Sequence, residues 1–213
     1  MSELSKRTSK YYFIQGIKMM GYILLLQLIL CVEWFIMSSE RDNLIDYMSR
    51  MTLMCGLMFM VLFNLIYAVY GPNWFDSIVL SMGGRRKDVF WGEMIKQFTF
   101  ILCNDVVLIL VAVATNKLEW IPIILMTSLI AAVTGAAGLV IGHKVKKYGK
   151  VYIFIIAIIA GCFGAFASVT TVLDINVLGM AKLSVGLIIL VAVVLFVLFE
   201  LWAYKLNQKS MVR

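Results

Sequence analysis

Few residues of this sequence have side chains suited to chemistry, and their spacing limits what they can do. The single histidine, His143, stands in a basic stretch with Lys144, Lys146 and Lys147. One histidine leaves no pair for an HExxH metal site, and its place in a basic loop removes it from a Ser–His relay. Gly149-Lys150 lacks both the upstream glycine and the following hydroxyl of a GxxxxGK[ST] phosphate loop. Cys31, Cys55, Cys103 and Cys162 each sit in an apolar block without CxxC spacing, and read as small apolar packers rather than disulfides or metal ligands. The sequence therefore assigns no catalytic residue, no metal site and no cofactor, and the chain is not expected to be an enzyme.

What remains is a set of polar residues inside or near the ends of apolar runs: Gln27, Glu33, Asn64, Asn104 and Asp105. A charge at the centre of a membrane helix costs about 2.5–3.5 kcal/mol on insertion scales, which about ten Leu, Ile or Val residues offset. Asp105 is then expected to face protein or a water-filled path. Gln27, Asn64, Asn104 and Asp105 are candidates for a translocation path. The alternative is that Asn104 and Asp105 form a satisfied interhelical pair.

The elements that must position these residues are membrane spans. Of 213 residues 62% are hydrophobic and 15% charged, with a mean hydropathy of +0.95. That leaves too little charge for the surface of a soluble domain. The apolar residues come in blocks of about twenty, enough to cross a hydrocarbon core of roughly 30 Å. We expect an all-α integral membrane protein, residues 1–213 forming one transmembrane domain. Six spans are expected, near 17–37, 51–70, 98–115, 120–142, 151–172 and 183–204. The basic N-terminus is followed by no small-residue cleavage site and reads as a retained first span.

A net charge of +7 does not point to nucleic acid, because the bases lie in short loops. Lys6, Arg7, Lys10 and Lys18 precede the first span; Arg85, Arg86, Lys87 and Lys96 lie in the 71–97 connection. Lys144, Lys146, Lys147 and Lys150 fall in the 143–150 loop, and Lys205, Lys209 and Arg213 in the tail. The alternate connections hold only Arg41, Arg50, Lys117 and Lys182. By the positive-inside rule both termini are expected in the cytoplasm of a multi-pass cell (inner, cytoplasmic) membrane protein. Trp34 and Trp120 fall at the outer interface, and Trp74, Trp91 and Trp202 at the inner one.

Two cytoplasmic features stand out. Residues 9–18, with Tyr11, Tyr12, Gln15 and Lys18, mix bases and aromatics as an interfacial helix would, or as an aromatic belt below the first span. Residues 71–97 form the longest polar connection. Gly71-Pro72 is expected to stop the second span. Asn73 then caps a short helix, 74–82, with Asp76 in its first turn and Trp74, Phe75, Ile78, Val79 and Met82 on one face. Ser77 and Ser81 lie on the same helix, Gly83-Gly84 ends it, and Arg85-Arg86-Lys87 opens the next. Headgroup binding explains the bases; it does not explain the capped helix and double glycine, which suit a docking element.

The stretch LSMGGRRKDVFWG at 80–92 resembles the "S-x-G-x-x-R-K-x-x-F-x-G" region of small bacterial ABC exporter permeases of the type-2 (type V) class. The resemblance implies six spans, cytoplasmic termini, an N-terminal interfacial elbow at 9–18, and a coupling helix at 74–87 that docks on a separate ATPase subunit. ATP and Mg would then be bound by that partner, and a second permease subunit, identical or not, would complete the path. Short outer loops resemble compact members that export peptides or other amphipathic substrates; larger permeases carry an outer hairpin after span five, where only 174–182 is available here. The rival reading is a six-span substrate-binding or accessory membrane protein, which would need a convergent polar pocket near the outer face. The small residues Ala131, Gly135, Gly138 and Gly142 in span four, and Ala157, Gly161, Gly164, Ala165 and Ser168 in span five, suit close helix packing within the subunit or at a dimer interface.

Overall fold

The computed structural model describes residues 3–37, 44–149 and 185–209. Among these residues every regular element is a helix: α1 (Glu3–Met37), α2 (Leu44–Ser81), α3 (Arg86–Ala114), a single 3-10 turn (Leu118–Trp120), α4 (Ile121–Tyr148) and α5 (Val185–Lys209). All five α-helices are long and apolar enough to cross a membrane, as in a multi-pass membrane protein. The fifth expected span, 151–172, the turn 174–182 and Cys162 lie outside the described residues. Cys31, Cys55 and Cys103 are free thiols.

The helices pack by their small and apolar faces. Met19, Ile23, Leu53, Met60, Phe100, Leu108 and Ile124 form the main buried cluster. A Cβ on Gly138 would stand 2.8 Å from the Cβ of Ala68 and from the carbonyl oxygen of Leu65; one on Gly142 would stand 2.5 Å from the carbonyl oxygen of Val69. The small residues of span four are therefore an α2–α4 seam within the chain, where backbones approach closely. The outward faces stay apolar, with Leu25, Leu28, Val32 and Ile36 of α1 and Leu190, Leu198 and Leu201 of α5 all exposed. Contiguous apolar surface of that extent suits a lipid solvent rather than water.

Three expected boundaries differ. Gly71-Pro72 does not stop the second helix: α2 runs 38 residues with Pro72 inside it, so residues 74–82 are its extension and not a separate capped helix. Proline removes one N–H from the helical ladder, and neighbours supply other donors here. Asn73 Nδ2 donates back to the Val69 carbonyl at 3.4 Å instead of capping, and Lys146 Nζ donates to the Pro72 carbonyl at 3.2 Å. Both bonds go to carbonyls beside the break and not to the Ala68 carbonyl that loses its donor; in membranes a helix breaker is tolerated where neighbours hold the surrounding backbone. Likewise residues 9–18 are continuous with the first span in the 35-residue α1; at about 1.5 Å per residue it is roughly 52 Å long, well beyond a core of roughly 30 Å. Finally, α4 carries on past Gly142 to Tyr148, placing His143 in a helix. Gly149, at φ 79°, ends it after Lys146 and Lys147, in the last turn where cations suit the helix dipole.

The smaller turns follow the sequence. Pro122 sits in the first turn of α4, and Asn116 takes φ 58° between α3 and α4, a conformation that asparagine tolerates. At that end Lys117 Nζ lies 2.8 Å from Asp46 Oδ1, and Arg50 Nε 3.0 Å from Asp46 Oδ2. At the opposite end the start of α1, the α2–α3 turn, the end of α4 and the end of α5 come together. Phe90 packs edge-on to Tyr204, Phe98 to Phe196, and Lys144 lies over Trp202. Hence α5 runs antiparallel to α3 and parallel to α4.

Candidate functional site

The α2–α3 hairpin ends in a turn built by its glycines. Gly83 adopts φ +86°, open to glycine without steric cost. Gly84 N–H donates to the Val79 carbonyl at 2.9 Å, and a Cβ at Gly84 would fall 2.6 Å from Val79 Cγ1. The turn is thus closed tightly on α2. Beyond it Arg85 precedes α3 in an extended conformation. Ser81, Met82, Gly83, Arg85 and Lys87 are exposed. Trp74, Ile78 and Met82, with Tyr70 one turn earlier, make an exposed apolar stripe at i, i+4 spacing. The expected apolar face divides: Phe75 and Val79 turn inward, while Trp74, Ile78 and Met82 turn outward. Ser77 and Ser81 hydroxyls donate to their own helix, at the carbonyls of Trp74 (2.9 Å) and Ile78 (2.7 Å).

Asp76, expected in the first turn of an exposed helix, is buried, and so are the groups around it. Tyr12 Oη donates to Asp76 Oδ1 at 2.7 Å across α1 and α2. Glu93 Oε2 and Lys96 Nζ of α3 stand 2.5 Å apart, with side chains 3% and 1% exposed. Glu93 and Asp76 are electrostatic neighbours, and Lys146 of α4 also faces Asp76. The Lys96 ammonium lies 5.1 Å from the Phe75 ring centroid and 5.9 Å from that of Tyr12, within cation–π range. Two acids and two lysines of α2, α3 and α4, with Tyr12 of α1, therefore tie four helices together beneath the hairpin. Two glycines admit the cluster: a Cβ at Gly71 would meet Glu93 Oε1 at 2.7 Å, and one at Gly92 would meet Tyr12 Cδ2 at 2.1 Å.

Both described ends of the chain grip the hairpin. From α1, Tyr12 is bonded to Asp76 and Tyr11 packs edge-on against Tyr12; Gln15 is half-buried and Lys18 exposed. Gly16 brings α1 against the Lys96 carbonyl, 2.8 Å from its would-be Cβ. From α5, Asn207 Nδ2 donates to the Arg86 carbonyl at 2.8 Å, and the Arg86 guanidinium donates to the Gln208 carbonyl. Of the basic triplet, Arg86 is a clamp while Arg85 and Lys87 are exposed.

The candidate path residues separate into layers along the bundle. Gln27 and Asn104 meet at Gly56, where Asn104 Nδ2 lies 3.5 Å from the Gly56 carbonyl and a Cβ would stand 2.6 Å from Gln27 Nε2. Asn64 and Gln97 meet at Gly135, and Asn64 Nδ2 donates to the Ala131 carbonyl at 2.7 Å. Asp105 accepts from Ser128 Oγ of α4 at 2.6 Å, so Asn104 and Asp105 each bond to a different neighbouring helix. Interhelical hydrogen bonds in membranes average about 0.6 kcal/mol. Asn64→Leu is accordingly expected to lower stability in detergent by about 0.6–1.7 kcal/mol, read as a shift in the thermal or SDS unfolding midpoint.

The sequence assigns no role to Glu93, Gln97 or Glu200 and counts Lys96 among the bases of the 71–97 connection, yet all four are buried. Their signal was position, not hydropathy. Residues 89, 92, 93, 96, 97, 100, 101, 104, 105, 108 and 112 are the buried stripe of α3, and the polar members keep its helical period. Among the described residues no group of three or more His, Cys, Asp or Glu could hold a metal ion. Comparison of the chain with protein-family models, with curated proteins and with solved structures gives no match. The class defined on these observations is a multi-pass helical membrane protein with a clamped, basic hairpin at one end.

Proposed function

We propose that the chain is the transmembrane subunit of an ATP-binding-cassette exporter, with the hairpin as the place where a separate ATPase docks. The observation that carries the reading is the hairpin itself. Its tip presents Trp74, Met82, Arg85 and Lys87 outward while a buried cluster and both described chain ends hold its base. A docking handle needs that combination of an exposed tip and a base that transmits force. The resemblance at 80–92 supplies the identity of the partner, an ATPase carrying the ATP and Mg that this sequence has no phosphate loop to bind. A second permease subunit completes the translocation path, and a peptide or other amphipathic substrate suits the short α3–α4 turn.

The orientation in this reading places the basic end in the cytoplasm of the cell membrane. Lys6, Arg7, Lys10, Arg85, Arg86, Lys87, Lys144, Lys146 and Lys147 gather there, against Arg50 and Lys117 at the other end. The parallel course of α4 and α5 supports the six-span count. The test is co-purification with a co-expressed candidate ABC ATPase subunit, using Arg85→Glu with Lys87→Glu and leaving the clamp residue Arg86 intact. We expect binding about tenfold weaker, a loss of about 1.4 kcal/mol, and transport reduced with it. Undiminished binding in a folded variant would sink the docking assignment.

A further inference from the structure

A groove of about 190 Å³ lies between the start of α1 and the end of α2, lined by Leu4, Arg7, Thr8 and Tyr11 on one side and Ile78, Val79, Met82 and Gly84 on the other. Its walls are mostly apolar and its rim is basic. The Arg7 side chain is 81% exposed, and the ion pair found for it is a loose one, 3.9 Å to Glu3, itself 85% exposed. Arg85 follows the lining Gly84 and is also exposed. Such an exposed i,i+4 pair binds Arg7 weakly and leaves the guanidinium available to a stronger anion.

Position restricts the occupant. One turn beyond Tyr11, α1 becomes an apolar outward face at Phe13, Ile14 and Ile17, and Trp74 stands exposed one turn before Ile78. The groove therefore opens where hydrocarbon gives way to headgroups, a level at which Tyr and Trp concentrate. Drug-sized ligands occupy pockets of roughly 300–1,000 Å³, so this groove is too small for one, and it fits a glycerol-phosphate portion with the first part of an acyl chain. Guanidinium groups bind phosphate oxygens through paired N–H donors.

We propose that this groove is a site for one anionic phospholipid, its phosphate held by Arg7 with Arg85 beside it and its apolar part lying on Tyr11, Ile78 and Met82. The lipid joins the start of α1 to the hairpin from outside, as Tyr12 and Asp76 join them from within. The walls of the site are all from this chain; it shares Met82 and Arg85 with the proposed docking face, so the lipid is tested with no ATPase present.

The test uses the full-length protein in detergent, without an ATPase, titrated with phosphatidylglycerol or phosphatidylcholine of matched chains and followed by native mass spectrometry. The expected result is one retained phosphatidylglycerol, preferred over phosphatidylcholine. Arg7→Gln with Arg85→Gln should weaken retention by about tenfold or more, taking about fivefold for each charge near an anionic headgroup. Ile78→Trp, which fills the groove without altering charge, should weaken it as well. Lys144→Gln with Lys147→Gln, on the α4 flank, should leave it unchanged. Equal retention of both lipids, graded uptake of many copies, or equal loss in the Lys144/Lys147 variant would each overturn the site in favour of annular lipid. Displacement by an acidic peptide but not by added phosphatidylglycerol would overturn it in favour of a protein partner. An unfolding midpoint near wild type qualifies each variant for the comparison.

Discussion

Lys96→Met is expected to destabilise the bundle by about 3–5 kcal/mol, the range for removing one partner of a buried ion pair. Methionine keeps an unbranched side chain of nearly the same length, so the change removes the ammonium from Glu93 and from its places over the Phe75 and Tyr12 rings. Glu93 would be left 2% exposed with its nearest cation gone and Asp76 still beside it. The measurement is reversible SDS unfolding in mixed micelles, where the midpoint should fall well below wild type. Lys96→Met with Glu93→Gln separates two explanations. Removing both charges should recover much of the loss, because most of it is an uncompensated charge rather than the net worth of the pair. A single variant that loses less than about 1 kcal/mol, the usual ceiling for an exposed pair, would place Lys96 in contact with water.

Gly92→Ala is expected to cost about 1–3 kcal/mol through overpacking. The new methyl would stand 2.1 Å from Tyr12 Cδ2 and 2.5 Å from Cε2. This is the body of the ring and not a flexible tip, and the phenol oxygen is pinned to Asp76 at 2.7 Å. Either the ring leaves its bond or α1 lifts from α3. Both outcomes loosen the N-terminal grip on the hairpin, so limited proteolysis should cut within 3–16 faster than in wild type. Combining Gly92→Ala with Tyr12→Ala makes room for the methyl and tests strain separately from the hydrogen bond. In that background the added methyl should have an effect near zero. An unchanged midpoint for Gly92→Ala alone would mean that α1 is not seated at residue 92.

These two residues show where the sequence was readable and where it was not. Block lengths and caps located the helices: Pro122 in the first turn of α4 and Gly83-Gly84 at the hairpin turn fall where local rules put them. Gly71-Pro72 misled, because the local rule for a helix stop assumes water as the alternative partner for freed carbonyls. Here Asn73 and Lys146 donate to the Val69 and Pro72 carbonyls on either side of the break, and Lys146 is 74 residues from Pro72 in sequence. The same long range hid the cluster. Glu93 and Lys96 look like the solvated start of a helix until α1, α2 and α4 close over them. Their i, i+3 spacing on the stripe that includes Phe100 and Asn104 was the available clue. Asn104 and Asp105 stand side by side in the chain but serve different neighbours, Gly56 and Ser128, as consecutive residues on a helix turned by about 100° must.

The continuity of α2 through Pro72 has a mechanical consequence. From Gly56, where Gln27 and Asn104 meet, to Ser81 at the tip is about 25 residues, or roughly 38 Å of rod at 1.5 Å rise per residue. A stop at Gly71-Pro72 would have made a joint, letting the tip swing while the buried layers stayed still. An unjointed rod converts displacement into tilt: moving the tip sideways by about 3 Å rotates it by about 5° over that length. With Gly56 as the pivot, the same rotation moves the Asn64–Gln97 layer, roughly 12 Å along the helix, by about 1 Å. In the proposed docking role, a push on the hairpin would reach the polar interior of the bundle along one continuous helix.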